Sequence, residues 1–240
     1  MILVTGGTGF IGRSLVRHLV NSGHEVRLLL RPSTRTPNVP MGVAVEVAVT
    51  SINDERGLRA AMRDVDVIYH LAGGEKQGAR TNLEAIDIKG TQTLVKAAVN
   101  ARVQRVFYIS HLGSDRASAF PVLKAKGIAE DYIRDSGVPF TIIRSAILFG
   151  QDDGVTTGLA LLLHASPGFL PLPGKGKTML QPLWIDDLVT CMLWALDKPE
   201  SINQIMELGG SEYLSLAQIT RTIMDVTKKR RLLVSWPNPY

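Results

Sequence analysis

The chain has 240 residues, 45% of them hydrophobic and 20% charged, with a formal net charge of +5 and a pI near 9.4. This is the balance of a globular protein of one large domain, or of a domain with a small appendage, able to bury its core without disulfides or metals. The single cysteine, Cys191, excludes an intrachain disulfide and a cysteine-based zinc site; inside the apolar run LVTCMLWAL it reads as a small buried hydrophobe.

Residues 1–6 (MILVTG) read as a strand that opens the chain, with no room ahead of it for a signal or transit peptide, so a cytosolic protein is expected. A helix follows in GRSLVRHLVNSG, with Leu15, Val16, Leu19 and Val20 on one face and Gly23 as its stop. Next come two strands (HEVRLLLR and VAVEVAVT), a helix (DERGLRAAMRDV), a strand (DVIYHLAG) and a helix (NLEAIDIKGTQTLVKAAVNAR). RVFYIS is a strand, KAKGIAEDYIRDSG a helix and FTIIRSAILFG a strand. Strands alternating with helices imply right-handed crossovers and a parallel sheet covered on both faces, with ligands at the C-terminal strand ends. After about residue 150 the alternation weakens. A Gly- and Pro-rich loop leads to a helix (DDLVTCMLWALDK), a short strand (QIMELGG) and a last helix (SLAQITRTIMDVTKK). The expected organisation is therefore α/β: a doubly wound parallel sheet over 1–150, and a small C-terminal substrate lobe over 151–240 that partly returns to the main sheet. The longest apolar stretch, 158–172, is interrupted by His164 and Pro167 and falls short of the roughly 20 residues of a spanning helix.

The loop VTGGTGFIG joins the first strand to the first helix. Gly6, Gly9 and Gly12 are spaced G-x-x-G-x-x-G. Gly6 suits the tight turn, Gly9 the close approach of a pyrophosphate, and Gly12 the packing of helix on strand, while the helix N-terminus offers free N–H groups and a positive dipole end. Between a strand and a helix this marks a Rossmann dinucleotide site, lined by Thr8, Phe10, Ile11 and Arg13 as well as the glycines. In an NAD site a carboxylate at the end of the second strand would bond the ribose 2′-hydroxyl. Here Arg31 stands there, followed by Pro32, Ser33 and Thr34. A guanidinium suits a 2′-phosphate, so NADP is expected over NAD, with Arg13 as a second cation.

With TGGTGFIG, DVDVIYHLAG, FYIS and Lys126 in order, the chain resembles the short-chain dehydrogenase/reductase superfamily over nearly its whole length. The block LPLPGKGKTMLQPLWIDDLV, followed by ELGG, resembles the atypical branch containing the nucleotide-binding accessory subunit of respiratory complex I and NmrA-like proteins. The resemblance implies Leu71, Ala72 and Gly73 at the cofactor. It also implies a Tyr-x-x-x-Lys pair and an upstream serine, in which lysine binds the nicotinamide ribose and tyrosine passes the proton. Ser110 matches the serine and Lys126 the lysine, but the tyrosine position is Val122. Tyr132 lies about 600° further round the helix than Lys126, and Tyr69 and Tyr108 lie inside strands. His111 is the remaining candidate general acid; Asp115 is a weaker one. Further departures are Ser51 where an acid often meets the adenine amine, Asp87 in place of the first Asn of an Asn-x-x-Gly-Thr pattern, and Ser145 in place of a proline. Gln181–Trp184 lacks the arginine that holds a sugar-nucleotide phosphate, which disfavours such substrates.

Three functions follow. One is an NADP(H)-binding atypical reductase-like protein with weak activity on a quinone-like or other small acceptor. Another is a non-enzymatic protein that holds NADP(H) and serves a protein partner, such as a membrane enzyme complex or its assembly. The third is RNA binding, supported only by the pI and the run Lys228–Arg231, which otherwise reads as a solvated helix end; an anionic-membrane patch is a further reading of that run. Nucleic acid is the least supported partner. Residues 169–177 (FLPLPGKGK) are expected to form a mobile lid over the nicotinamide end.

Overall fold

The computed structural model describes residues 1–33, 37, 39–40, 42–74 and 82–236. The elements of the first half are β1 (Ile2–Thr5), α1 (Phe10–Asn21), β2 (Val26–Leu30), β3 (Glu46–Val49), α2 (Glu55–Ala61), β4 (Val67–His70), a π-helical turn (Glu84–Ile88) running into α3 (Lys89–Ala101), β5 (Arg105–His111), α4 (Pro121–Asp135) and β6 (Phe140–Ser145). The second half has β7 (Leu148–Phe149), α5 (Val155–Ala165), β8 (Phe169–Pro173), β9 (Met179–Leu180), β10 (Leu183–Trp184), α6 (Ile185–Leu196), β11 (Gln204–Leu208), β12 (Leu214–Ser215), α7 (Leu216–Thr227) and β13 (Leu232–Trp236).

Seven strands form one sheet in the order β11-β6-β5-β4-β1-β2-β3. The registers of β1 with β2 and β4, of β2 with β3, of β4 with β5 and of β5 with β6 are all parallel. Asn203 N–H donates to Phe140 O at 2.6 Å and Ala146 N–H to Leu208 O at 2.8 Å. The two bonds run in the same order along both strands, so β11 is parallel as well. Both faces of the sheet's central strands are buried. Leu3, Ile68, Val106 and Ile142 are fully buried with Leu58, Leu94 and Ile133 of α2, α3 and α4. Val4, Leu28, Phe107 and Ile143, which alternation turns to the other face, are also fully buried. Each such side chain contributes about 1.5–3 kcal/mol. This is the doubly wound sheet expected from the alternating pattern.

The chain divides into two compact units, Met1–Ser145 with Leu188–Glu207, and Ala146–Asp187 with Leu208–Tyr240. The expected boundary at 150 thus moves to 145, and the segment from Leu188 to Glu207 belongs with the sheet. The stretch FTIIRSAILFG, read as one strand, breaks after Ser145: β6 stays in the sheet, and β7 pairs in parallel with β10. The second unit has a small core of Leu163, Leu170 and Leu172, packed by Leu216, Ile223, Met224 and Leu233. Its α7 starts on a capping box, in which the Ser215 side chain accepts from Gln218 N–H. The glycine pair after β11 has a local cause. A Cβ on Gly210 would overlap the Pro182 carbonyl, and Gln181 Nε2 donates to Gly210 O at 2.7 Å. The two separated motifs QPLW and ELGG thus pack directly on each other. Residues 169–177, expected as a mobile lid, contain β8, which pairs in parallel with β13 over five residues.

No helix among the described residues is long and apolar enough to cross a membrane. Cys191, expected to be buried, is half-buried on α6. Thr34 lies outside the described residues.

Candidate cofactor site

The sheet order reverses at β1, which has β2 on one side and β4 on the other. In doubly wound sheets the crevice beyond the strand ends at such a point is where ligands bind. β1 runs there into the glycine loop. Gly6 has φ +70°, and a Cβ on it would stand 2.7 Å from Leu71 O and from Ala72 N. Backbone conformation and close approach both require glycine at this position. A Cβ on Gly12 would overlap Gly6 O, so the start of α1 lies directly against the loop. Gly9 is the N-cap of α1; no side chain caps the helix, and its first turn has no acid. The first turn of α1 thus carries no carboxylate of its own, as a phosphate site needs. Thr8, Phe10, Ile11 and Arg13 are each half-buried around this turn. The Arg13 guanidinium folds back to donate to Thr8 O at 3.3 Å.

Leu71, Ala72 and Gly73 form the facing loop after β4. The amides of Leu71 and Ala72 donate to Thr5 O and Thr5 Oγ1, both at 3.2 Å, which ties this loop to the end of β1. Arg31 and Ser33 are exposed just beyond β2, and Ser51 just beyond β3. Since β1, β2 and β3 are parallel, all three residues lie at the same edge of the sheet as the glycine loop. Ser51 Oγ also accepts from Asn53 N–H at 3.2 Å.

Behind the loops is a buried polar cluster that the sequence did not announce. Thr5 and His70 are register partners at the ends of β1 and β4. His70 Nδ1 lies 2.7 Å from Thr5 Oγ1, and its Nε2 lies 2.9 Å from Thr91 Oγ1. Thr91 donates its own proton to Asp87 O, so His70 Nε2 carries hydrogen and Nδ1 accepts from Thr5. This tautomer is assigned from the network. Burial, and secondarily the charge of Lys126, push the His70 pKa down to about 3, and the ring is neutral. The sign available in the sequence was the pairing of Thr5 with His70, which a strand register reveals and composition does not.

Asp87 and Lys126 are the charged members of this cluster, 1% and 5% exposed. Asp87 Oδ2 accepts from Gly74 N–H at 2.9 Å, while Oδ1 has no hydrogen bond and faces Lys126 Nζ at 3.5 Å. Lys126 also lies 3.5 Å from Ile109 O and stands over the Tyr108 ring at 5.2 Å. Burial pushes the Tyr108 phenol up to about 12, with Lys126 opposing the shift. The aspartate noted as a departure from Asn-x-x-Gly-Thr is therefore the partner of the lysine.

The residues matched to a proton relay lie on β5 and α4. Ser110, at 0% exposure, donates to Ser114 Oγ at 3.0 Å. His111 ends β5 and is half-buried. Val122 lies half-buried in the first turn of α4, one turn before Lys126. Tyr132 packs against the core under the sheet, and Tyr69 and Tyr108 are buried within it. Asp115 accepts from Ala117 N–H at 2.7 Å in an exposed loop. α4 itself is fixed to β6 by Glu130, which accepts from Arg144 Nε at 3.1 Å and from Nη2 at 2.6 Å.

A model of NAD(P)H-binding proteins matches residues 6–168. The mitochondrial NADH dehydrogenase (ubiquinone) 1 alpha subcomplex subunit 9 of Arabidopsis thaliana is 28% identical over 98% of this chain and 60% of its own length. A ceramide reductase of Caulobacter vibrioides is 30% identical over 70% of this chain and 52% of its own. The chain thus spans less than two thirds of the length of these curated relatives. Among solved structures, a UDP-glucose 4-epimerase of Thermus thermophilus in complex with NAD superposes with a TM-score of 0.80 at 22% identity, covering 99% of this chain and 86% of that one; that likeness concerns the fold. The glycine loop at the switch point, the matched domain and the relatives together place this chain in the NAD(P)H-binding family, as an atypical short-chain dehydrogenase/reductase of Rossmann fold.

Proposed function

We propose that the protein holds NADP(H) as a bound, redox-responsive cofactor and serves a protein partner, without the tyrosine-based proton relay of the active reductases. The observation that carries this reading is the pairing at Lys126. The residue one turn before it is Val122, which has no proton to give, and the ammonium is engaged by the buried Asp87 carboxylate at 3.5 Å. A missing general acid costs about 10²–10⁴ in rate. The relative that covers 98% of this chain is named as a subunit of a larger complex, which supports an accessory role.

The residues fit a dinucleotide. Gly6, Gly9, Gly12 and the uncapped start of α1 would take the pyrophosphate, with Leu71–Gly73 across the crevice. Arg31, with Ser33 and Arg13, would meet a ribose 2′-phosphate, which favours NADP over NAD, and Ser51 would lie towards the adenine. Lys126 would meet the nicotinamide ribose. When bound, the nucleotide supplies hydride; the chain's own groups orient it, and Ser110 holds the loop after β5 through Ser114.

A second reading is weak hydride transfer to a quinone-like acceptor, with His111 or water as proton source. It is favoured by the relative at 30% identity that is named a reductase. One experiment separates the two. Nucleotide released from the purified protein is identified by mass spectrometry, and its exchange with added NADPH is timed alongside oxidation by a panel of small quinones. Tightly held NADP(H) that neither exchanges nor oxidises supports the accessory reading. Fast exchange with turnover supports the reductase reading, and recovery of NADH alone overturns the assignment of Arg31.

A further inference from the structure

Among the described residues, the second unit exposes an apolar surface. β8 and β13 form a two-stranded parallel ribbon in which Phe169 pairs with Leu232, Pro171 with Val234 and Pro173 with Trp236. Partners in a parallel register share a face, and alternation puts these six residues on the same side. The other side carries Leu170 and Leu172, buried in the small core, with the half-buried Leu233 packed against them and Ser235 beside Leu172. The outer side is therefore entirely apolar, although parallel strands are ordinarily covered on both faces. Phe169, Leu232 and Trp236 are 49%, 69% and 59% exposed. The same unit also exposes Leu161 and Leu162 of α5, at 66% and 56%.

Cations frame this ribbon at both ends. The chain enters β13 directly from Lys228, Lys229, Arg230 and Arg231, of which Lys228 and Arg230 are exposed. It leaves β8 towards Lys175 and Lys177, both exposed. Neither residues 166–177 nor residues 226–236 contain an Asp or Glu. An apolar strip with a tryptophan at its edge, bounded by lysine and arginine and free of acids, has the chemistry of an interfacial membrane contact. The apolar groups enter the headgroup boundary while the cations meet anionic lipid. A protein partner of ordinary surface would not need cations at both ends of the strip, and a second copy of this chain would bring like charges together. We propose that the outer face of the β8–β13 ribbon docks the protein on an anionic phospholipid bilayer. The docking is peripheral, since no described helix can span.

The test is co-sedimentation of the full chain with phosphatidylcholine vesicles and with vesicles in which about a third of the lipid is phosphatidylserine. Binding is expected to the anionic vesicles, and to weaken with salt as surface charges are screened. Phe169→Ser with Leu232→Ser should lower it at least about tenfold, as should neutralising Lys228, Arg230, Lys175 and Lys177 together. NADPH binding, which uses the other unit, serves as the control for folding and should be unchanged. Equal binding to both vesicle types, or anionic binding insensitive to both variant sets, overturns the proposal. So does the absence of vesicle binding, whether or not the protein self-associates through Phe169 and Leu232. Salt-sensitive binding of RNA by Lys228–Arg231 without vesicle binding would overturn it in favour of a nucleic-acid surface.

Discussion

Lys126, proposed above to meet the nicotinamide ribose, is also half of a buried ion pair with Asp87. Two charges that share a site almost without solvent have lost their hydration, and each depends on the other. Asp87→Ala leaves the ammonium buried and unpaired and should cost about 3–5 kcal/mol in denaturant unfolding. Replacing both by apolar residues of similar volume, Asp87→Leu with Lys126→Met, should be far less harmful. A double variant as unstable as Asp87→Ala alone would mean that the pair does not carry the coupling. Arg31 is the opposite case: exposed at the end of β2, with nothing in the core depending on it. Arg31→Asp should leave stability unchanged, weaken NADPH by roughly ten- to a hundredfold through loss of a charge-assisted contact, and improve NADH. Calorimetric titration of both nucleotides checks this, and an unchanged ratio between them would remove Arg31 from the cofactor site.

At the scale of elements, β1, β4 and α3 are joined through one imidazole, and this gives the protein a pH dependence. His70 is neutral in the fold, with its pKa lowered from 6.5 to about 3. The unfolded chain takes up the proton first as pH falls, so His70 supports stability fully above about 6.5 and loses that support between 6.5 and 3. Each pH unit in that window costs about 1.4 kcal/mol, or about 2 kcal/mol at pH 5. Thermal melting from pH 8 to 5 should show this fall, and His70→Gln should flatten it while lowering the plateau. The elements themselves were legible wherever local pattern and tertiary demand agreed. The glycine loop is such a place, because Gly6 and Gly12 are required by turn and packing alike. Legibility failed where a long-range partner decided. Ser145 ends β6 in the middle of a stretch that reads as one strand because β7 pairs with β10, some 35 residues later. The run 158–172 divides into α5 and β8 because β8 has β13 to pair with, and with so many prolines and glycines around it, that segment looked like a free loop. The sequence marks Asp87 as a departure from a pattern but not as an ion-pair partner, since nothing in the spacing of 87 and 126 brings the π-helical turn and α4 together; only the packed sheet does.

At the scale of the molecule, the residues assigned to the nucleotide all belong to one unit, Met1–Ser145 with Leu188–Glu207, while the apolar ribbon belongs to the other. The separation has a measurable consequence. A ligand that binds only the native state stabilises it by RT ln(1 + [L]/Kd), about 2.7 kcal/mol at a hundredfold excess over Kd. Local openings within the loop are suppressed as well, because amides held against a phosphate exchange only after it leaves. Hydrogen exchange with saturating NADPH should therefore slow most at residues 6–13 and 71–74, which line the switch point. The β8–β13 amides should change by no more than the global stabilisation. Anionic vesicles should produce the reverse pattern, with protection over 169–173 and 232–236 and none in the glycine loop. Were NADPH to protect the ribbon as strongly as residues 6–13, the two surfaces would be coupled, and nucleotide occupancy would control docking. Independent protection instead means that the nucleotide and the membrane are read by separate parts of the chain, each set by its own local chemistry.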